Sequence, residues 1–133
     1  MKASKGEERI IEILQRGCYK FEREKKFEDL QHGQLRFDFY VHCAPAPNCI
    51  IEYQGQQHYR PNPKFYESRT AFESARERDR KKISYCLAHQ IPIYCIPYWE
   101  LDNIESASDI FQPKYRDIDR WKNDKDWANF KSL

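Results

Sequence analysis

With 133 residues, 40% of them apolar and 15% aromatic, the chain has enough material for one buried core and too little for two, so a single domain over 1–133 is expected. Charged residues make up 33% and the mean hydropathy is −0.97. No apolar run approaches the roughly 18 residues that span a bilayer, and the opening MKASKGEE lacks the apolar stretch of a secretion signal, so no membrane partner and a cytoplasmic location are expected.

Ser4-Lys5-Gly6-Glu7 has the form of a capping box, and Ile10, Ile11, Leu14 and Cys18 follow at helical spacing. This predicts a first helix from about Lys5 to Arg16, ended by Gly17. YKFERE then alternates apolar and charged residues, with Tyr19 and Phe21 on one side, as a half-exposed strand should. Past a polar turn near Gly33, LRFDFYV alternates again: Leu35, Phe37, Phe39 and Val41 point one way, Arg36, Asp38 and Tyr40 the other. APAPN is a loop, because its prolines cannot continue a ladder. CIIEYQ is the next strand, ended by Gly55.

Pro61 and Pro63 mark a loop, after which SRTAFESARERDRKKISYCLAHQ carries a long helical pattern. Its inward stripe runs Phe72, Ala75, Asp79, Ile83, then Cys86 or Leu87. IPIYCIPY is apolar throughout, as a strand covered on both faces tends to be. A short helix is expected near NIESASDIF, and the tail with Trp121, Trp127 and Phe130 reads as another amphipathic helix. The order helix, strand, strand, strand, helix, strand, helix predicts an α/β fold with a mixed sheet.

The formal charge of +2 says little, but its distribution says more. From Lys64 to Lys82 seven basic residues (Lys64, Arg69, Arg76, Arg78, Arg80, Lys81, Lys82) face four acids (Glu67, Glu73, Glu77, Asp79), a local 7 − 4 = +3. Such a segment neutralises phosphates, although a solvated helix with mixed charges has the same composition. The cysteines at 18, 43, 49, 86 and 95 are odd in number and scattered, so they read as small buried hydrophobes rather than as a disulfide framework. A zinc site from His42, Cys43 and Cys49 lacks both a compact spacing and an evident fourth ligand.

Several polar groups stand where the pattern calls for apolar ones. Asp79 lies on the inward stripe of the long helix, where a carboxylate is costly unless paired. Glu7 shares the stripe of Ile10, Ile11 and Leu14, and the capping box alone would account for it. Asp38 lies on its strand's less apolar face, Glu52 and Gln54 share a face of the next strand, and His58 follows the turn at Gly55. Asp38 pairing with Arg36, Glu52 with a lysine, and His58 with backbone would satisfy each group separately. Taken together, carboxylates on adjacent strands are candidates to hold Mg²⁺, and a histidine oriented by Asp79 is a candidate base. In outline this is metal-assisted phosphodiester hydrolysis.

A carboxylate in RFDF, followed by IEYQ on the next strand within an αβββαβ order, resembles the PD-(D/E)XK nuclease superfamily over about residues 4–100. The closer likeness is to the branch with the Vsr-type very-short-patch repair endonucleases and the EDxHD homing endonucleases, many of them phage-encoded. GEERI, GQQHY, RTAF, RERDRKKIS and IYCIPYWE carry that likeness. It implies a restriction-endonuclease-like core over about 4–100, beyond which the helical patterns of NIESASDIF and the tail are expected to form an extension over about 101–133. It further implies that Glu7 is the helix glutamate, Asp38 the metal-binding strand aspartate, Tyr53 the carrier of a metal-binding backbone carbonyl, and His58 the histidine paired with Asp79. The sequence departs from the pattern at Gln54, which replaces the motif lysine and one Vsr histidine, with Lys82 as the available substitute; the Vsr zinc ligands are not visible.

The expectation is therefore a Mg²⁺-dependent DNA endonuclease, with Mn²⁺ able to substitute. Asp38, with Glu52 or the Tyr53 carbonyl, holds the ion; His58 and Asp79 handle water; Glu7 orders a second ion or a water; Gln54 lines the site. Arg60, Lys64, Arg76, Arg78, Arg80, Lys81 and Lys82 contact phosphates. A nucleic-acid-binding module that keeps this fold without turnover is the alternative, and an interaction protein using the Trp-rich tail ranks below both. Without an obvious separate DNA-reading domain, the core is expected to act as a homodimer or with little specificity.

Overall fold

The computed structural model describes residues 3–55 and 69–116. Helix α1 spans Lys5–Arg16 and starts where the capping box predicts. Glu7 N–H donates to Ser4 Oγ (3.2 Å), and Ser4 N–H donates to Glu7 Oε1 (3.3 Å). Its buried face is Ile10, Ile13 and Leu14, one helical stripe, with Ile11 partly buried beside it. Cys18 does not continue that stripe: the helix has ended, the residue has φ 59°, and its side chain is exposed, unlike the other cysteines.

Strands β1 (Lys20–Lys26), β2 (Arg36–His42), β3 (Cys49–Gln54) and β4 (Ile93–Pro97) form one sheet in the order β1-β2-β3-β4. The first two pairings are antiparallel, and β3–β4 is parallel with helix α2 (Arg69–Ala88) between them in the chain. Parallel neighbours need such a crossover element, which accounts for the mixed sheet. Helix α1 covers one face through Ile10, Ile13, Leu14, Phe39, Val41, Cys49, Ile51 and Ile96. Helix α2 covers the other through Ile83, Cys86, Phe37, Ile50, Ile93 and Cys95. Strands β3 and β4 are thus buried from both sides, as the apolar run of β4 predicts.

The described core reaches past the expected boundary near residue 100. Ile104, the short helix α3 (Ala107–Ile110, with a Ser106–Asp109 capping box) and Tyr115 pack into the α1-side cluster. The expected helix through Trp121, Trp127 and Phe130 lies outside the described residues. No described helix is long and apolar enough to cross a membrane.

Two packing expectations are corrected. On α2 the buried stripe is Phe72, Arg76, Asp79, Ile83 and Cys86; Ala75 is only partly buried, and Leu87 is 62% exposed. On β2, Phe39 and Val41 face α1, but Phe37 packs on the α2 side with Phe27 and Tyr85. Simple alternation fails between Phe37 and Phe39, and the residue between them is Asp38.

Candidate functional site

Around Asp38 the sheet opens. The β2–β3 ladder ends at Phe39–Ile51, and the β1–β2 register passes from Arg23–Phe39 to Lys25–Phe37 without a Glu24–Asp38 pair. Glu24 sits in the left-handed region (φ 54°), which a non-glycine residue adopts at a cost of about 1–3 kcal/mol. Beyond the end of the ladder, carboxylates take over from backbone carbonyls. Asp38 N–H donates to Glu52 Oε2, and Tyr53 N–H donates to Asp38 Oδ2, both at 2.8 Å. The two strands are therefore tied by side chains where they fork.

On the α2 side of the fork is an ion pair. Glu52, 4% exposed, meets Lys82 Nζ through Oε1 while its other oxygen receives the Asp38 N–H. The Lys82 ammonium also lies 5.2 Å from the centre of the Phe37 ring. Burial works against the Lys82 charge, but Glu52, then Asp38 and Asp79, outweigh it and hold the group above the ordinary lysine range. Lys82 thus stays a cation at every physiological pH.

On the α1 side is an acidic group. Oxygens of Glu7, Glu24 and Asp38 lie within 4.8 Å of one another. Arg23 enters it: Nη2 reaches Glu7 Oε2 (2.7 Å) and lies 3.8 Å from Glu24, Nε donates to the Asp38 carbonyl (3.3 Å), and the guanidinium stacks 4.9 Å over Phe39. Helix α1 can come this close because residue 6 is glycine; a Cβ there would collide with the Tyr53 ring. The Asp38 carboxyl is pushed well above the usual carboxylate range by burial first, then by Glu52 and Glu7, against the pull of Lys82 and the Tyr53 N–H. It holds its proton more tightly than any ordinary aspartate, so a cation bound there competes with that proton.

Of the expected site residues, Glu7, Asp38, Glu52, Tyr53 and Lys82 come together at this fork. Glu52, expected as a metal ligand, has its oxygens engaged by Lys82 and by the Asp38 N–H, the lysine pairing that also satisfies it structurally. Tyr53 contributes its N–H to Asp38. Gln54 is 2% exposed, and its Oε1 has no hydrogen-bond partner among the described residues. Asp79 is buried on α2 and lines an open cavity of about 340 Å³ together with Arg36, Arg78 and Lys82. His58, Arg60 and Lys64 lie outside the described residues.

No known protein family, curated protein or solved structure matches this chain.

The basic set divides. Arg76 is not on the exposed face: it is 3% exposed, with its guanidinium 5.6 Å from the Phe72 ring centre, because the inward stripe advances by four residues from Phe72. Lys82 points inward to Glu52, leaving Arg78, Arg80 and Lys81 exposed, with Arg80 paired to Glu77 at 3.0 Å. Glu24 and Arg23 were not singled out by the sequence, in which YKFERE places them as ordinary strand surface. Cys43 and Cys49 bring their sulfurs to 3.6 Å, but the His42 ring sits beside Glu22 (3.2 Å), and the described residues complete no zinc set around them. The acidic group offers only oxygen donors, which fits a hard cation such as Mg²⁺ or Mn²⁺ and not a thiophilic one.

Proposed function

We propose that the chain is a Mg²⁺- or Mn²⁺-dependent DNA endonuclease of the PD-(D/E)XK kind, acting in the cytoplasm, host cytoplasm if phage-encoded. The observation that carries this reading is the forked sheet at Asp38, with three carboxylates on one side and a partly buried lysine paired to Glu52 on the other. Asp38 and Glu24 would hold the ion, which supplies Lewis acidity toward the phosphodiester. Glu7, fixed by Ser4 and Arg23, orients water beside them. Lys82, held by Glu52, provides the permanent cation that Gln54 does not, and the cavity it shares with Arg36 and Arg78 admits a phosphate. In this reading His58, paired with Asp79, takes the proton from the attacking water. Arg78, Arg80 and Lys81 meet flanking phosphates.

Supercoiled plasmid tests it. The expected result is relaxation in Mg²⁺ or Mn²⁺, none in EDTA, and a loss of about 10²-fold or more in His58→Ala, which removes the general base. A gel shift without cleavage in either metal would instead favour the binding module without turnover.

A further inference from the structure

We infer that Arg23 limits the acidic group to one divalent ion, an inference that rests on reading that group as a cation site. Once an ion has displaced the Asp38 proton, three carboxylates bring −3 and Arg23 brings +1, leaving −3 + 1 = −2, the charge of one divalent ion's complement. A second ion would leave the half-buried group at +2 with the guanidinium still in place. Both Glu7 oxygens already accept a donor, Oε1 the Ser4 N–H and Oε2 Arg23, so a second ion would compete with these donors at Glu7. Arg23 itself is anchored by the Asp38 carbonyl, the Phe39 ring and Glu7, a placement that a mobile surface arginine does not have. A guanidinium does not vacate the site by losing a proton.

Arg23 is thus a positioning residue: it holds Glu7 in place and occupies the space of a second ion. Mn²⁺ counted by electron paramagnetic resonance on the full chain tests this without reference to cleavage. One ion is expected on the parent, one on Arg23→Lys, and two on Arg23→Gln. In the parent, the Arg23 Nε–H resonance is expected to persist in saturating Mg²⁺, a readout that does not depend on the variant folding. Two ions on the parent, one on folded Arg23→Gln, or disappearance of the Nε–H signal with Mg²⁺ overturns the role of Arg23 and leaves the cation site standing. No Mn²⁺ bound to the parent overturns both.

Discussion

The two sides of the Asp38 fork contain the same kinds of groups in different proportions. Toward α2, one carboxylate meets one ammonium, and the pair is closed: buried Glu52 with Lys82, which is partly buried. Toward α1, three carboxylates share one guanidinium, and the group is left with excess negative charge. A matched buried pair is a structural fixture that costs most when one partner is removed. An unmatched acidic group is under repulsion and is relieved by a cation from solution.

The largest effect should come from unbalancing the matched side. Lys82→Met strands a buried Glu52 carboxylate and is expected to cost about 3–5 kcal/mol in urea unfolding, with Glu52→Gln added to it restoring most of the loss. A cost under about 1 kcal/mol would show that the two sides are not different in kind.

The unmatched side should respond in the opposite sense. Asp38→Asn keeps an acceptor for the Tyr53 N–H and removes a carboxylate whose charge is disfavoured. It is expected to raise the metal-free melting temperature at pH 8 by about 2–5 °C while abolishing Mn²⁺ binding. The sign follows from the raised folded value: destabilisation is absent below the ordinary aspartate pKa and grows as pH rises from there through the raised one. A lower melting temperature in Asp38→Asn would place the site among the matched pairs.

Added Mg²⁺ should stabilise the parent by about 2.7 kcal/mol at a hundred times its dissociation constant, and EDTA should reverse this. The gain should shrink as pH falls through the raised Asp38 value, because proton and ion compete for one carboxylate. A gain independent of pH would move the binding elsewhere. The smallest effect concerns the exposed helix face. Neutralising Arg78, Arg80 and Lys81 should lower the salt slope of DNA binding by about 1 per residue that contacts phosphate, and an unchanged slope removes this face from the interface.

How much of this could be read beforehand differs between fold and site. Helix α1 was legible to the residue because Ser4 and Glu7 specify a cap by local chemistry, and β4 because double burial demands an unbroken apolar run. Asp38 stood out as a carboxylate on a strand next to the one carrying Glu52, and Glu7 as a polar group on an apolar helical stripe that its cap also explains. Glu24 was not: alternation places it beside Glu22 on an exposed edge, and no residue type announces a left-handed turn at a glutamate inside a strand. Phe37 was misplaced for the same cause, since a period of two carries no sign of where a ladder stops. Arg76 was lost to an ambiguity of spacing, because steps of three and of four from Phe72 both continue a helical stripe, and an arginine is the less expected of the two to be buried.

The position of the ion is the most direct test of the Asp38 site. Crystals soaked in Mn²⁺ should show one anomalous peak bonded to the Asp38 carboxylate and facing Glu24 and Glu7, with Lys82 still on Glu52. A peak on Glu52 with Lys82 displaced, or no peak near Asp38 at a Mn²⁺ concentration that supports cleavage, would contradict it.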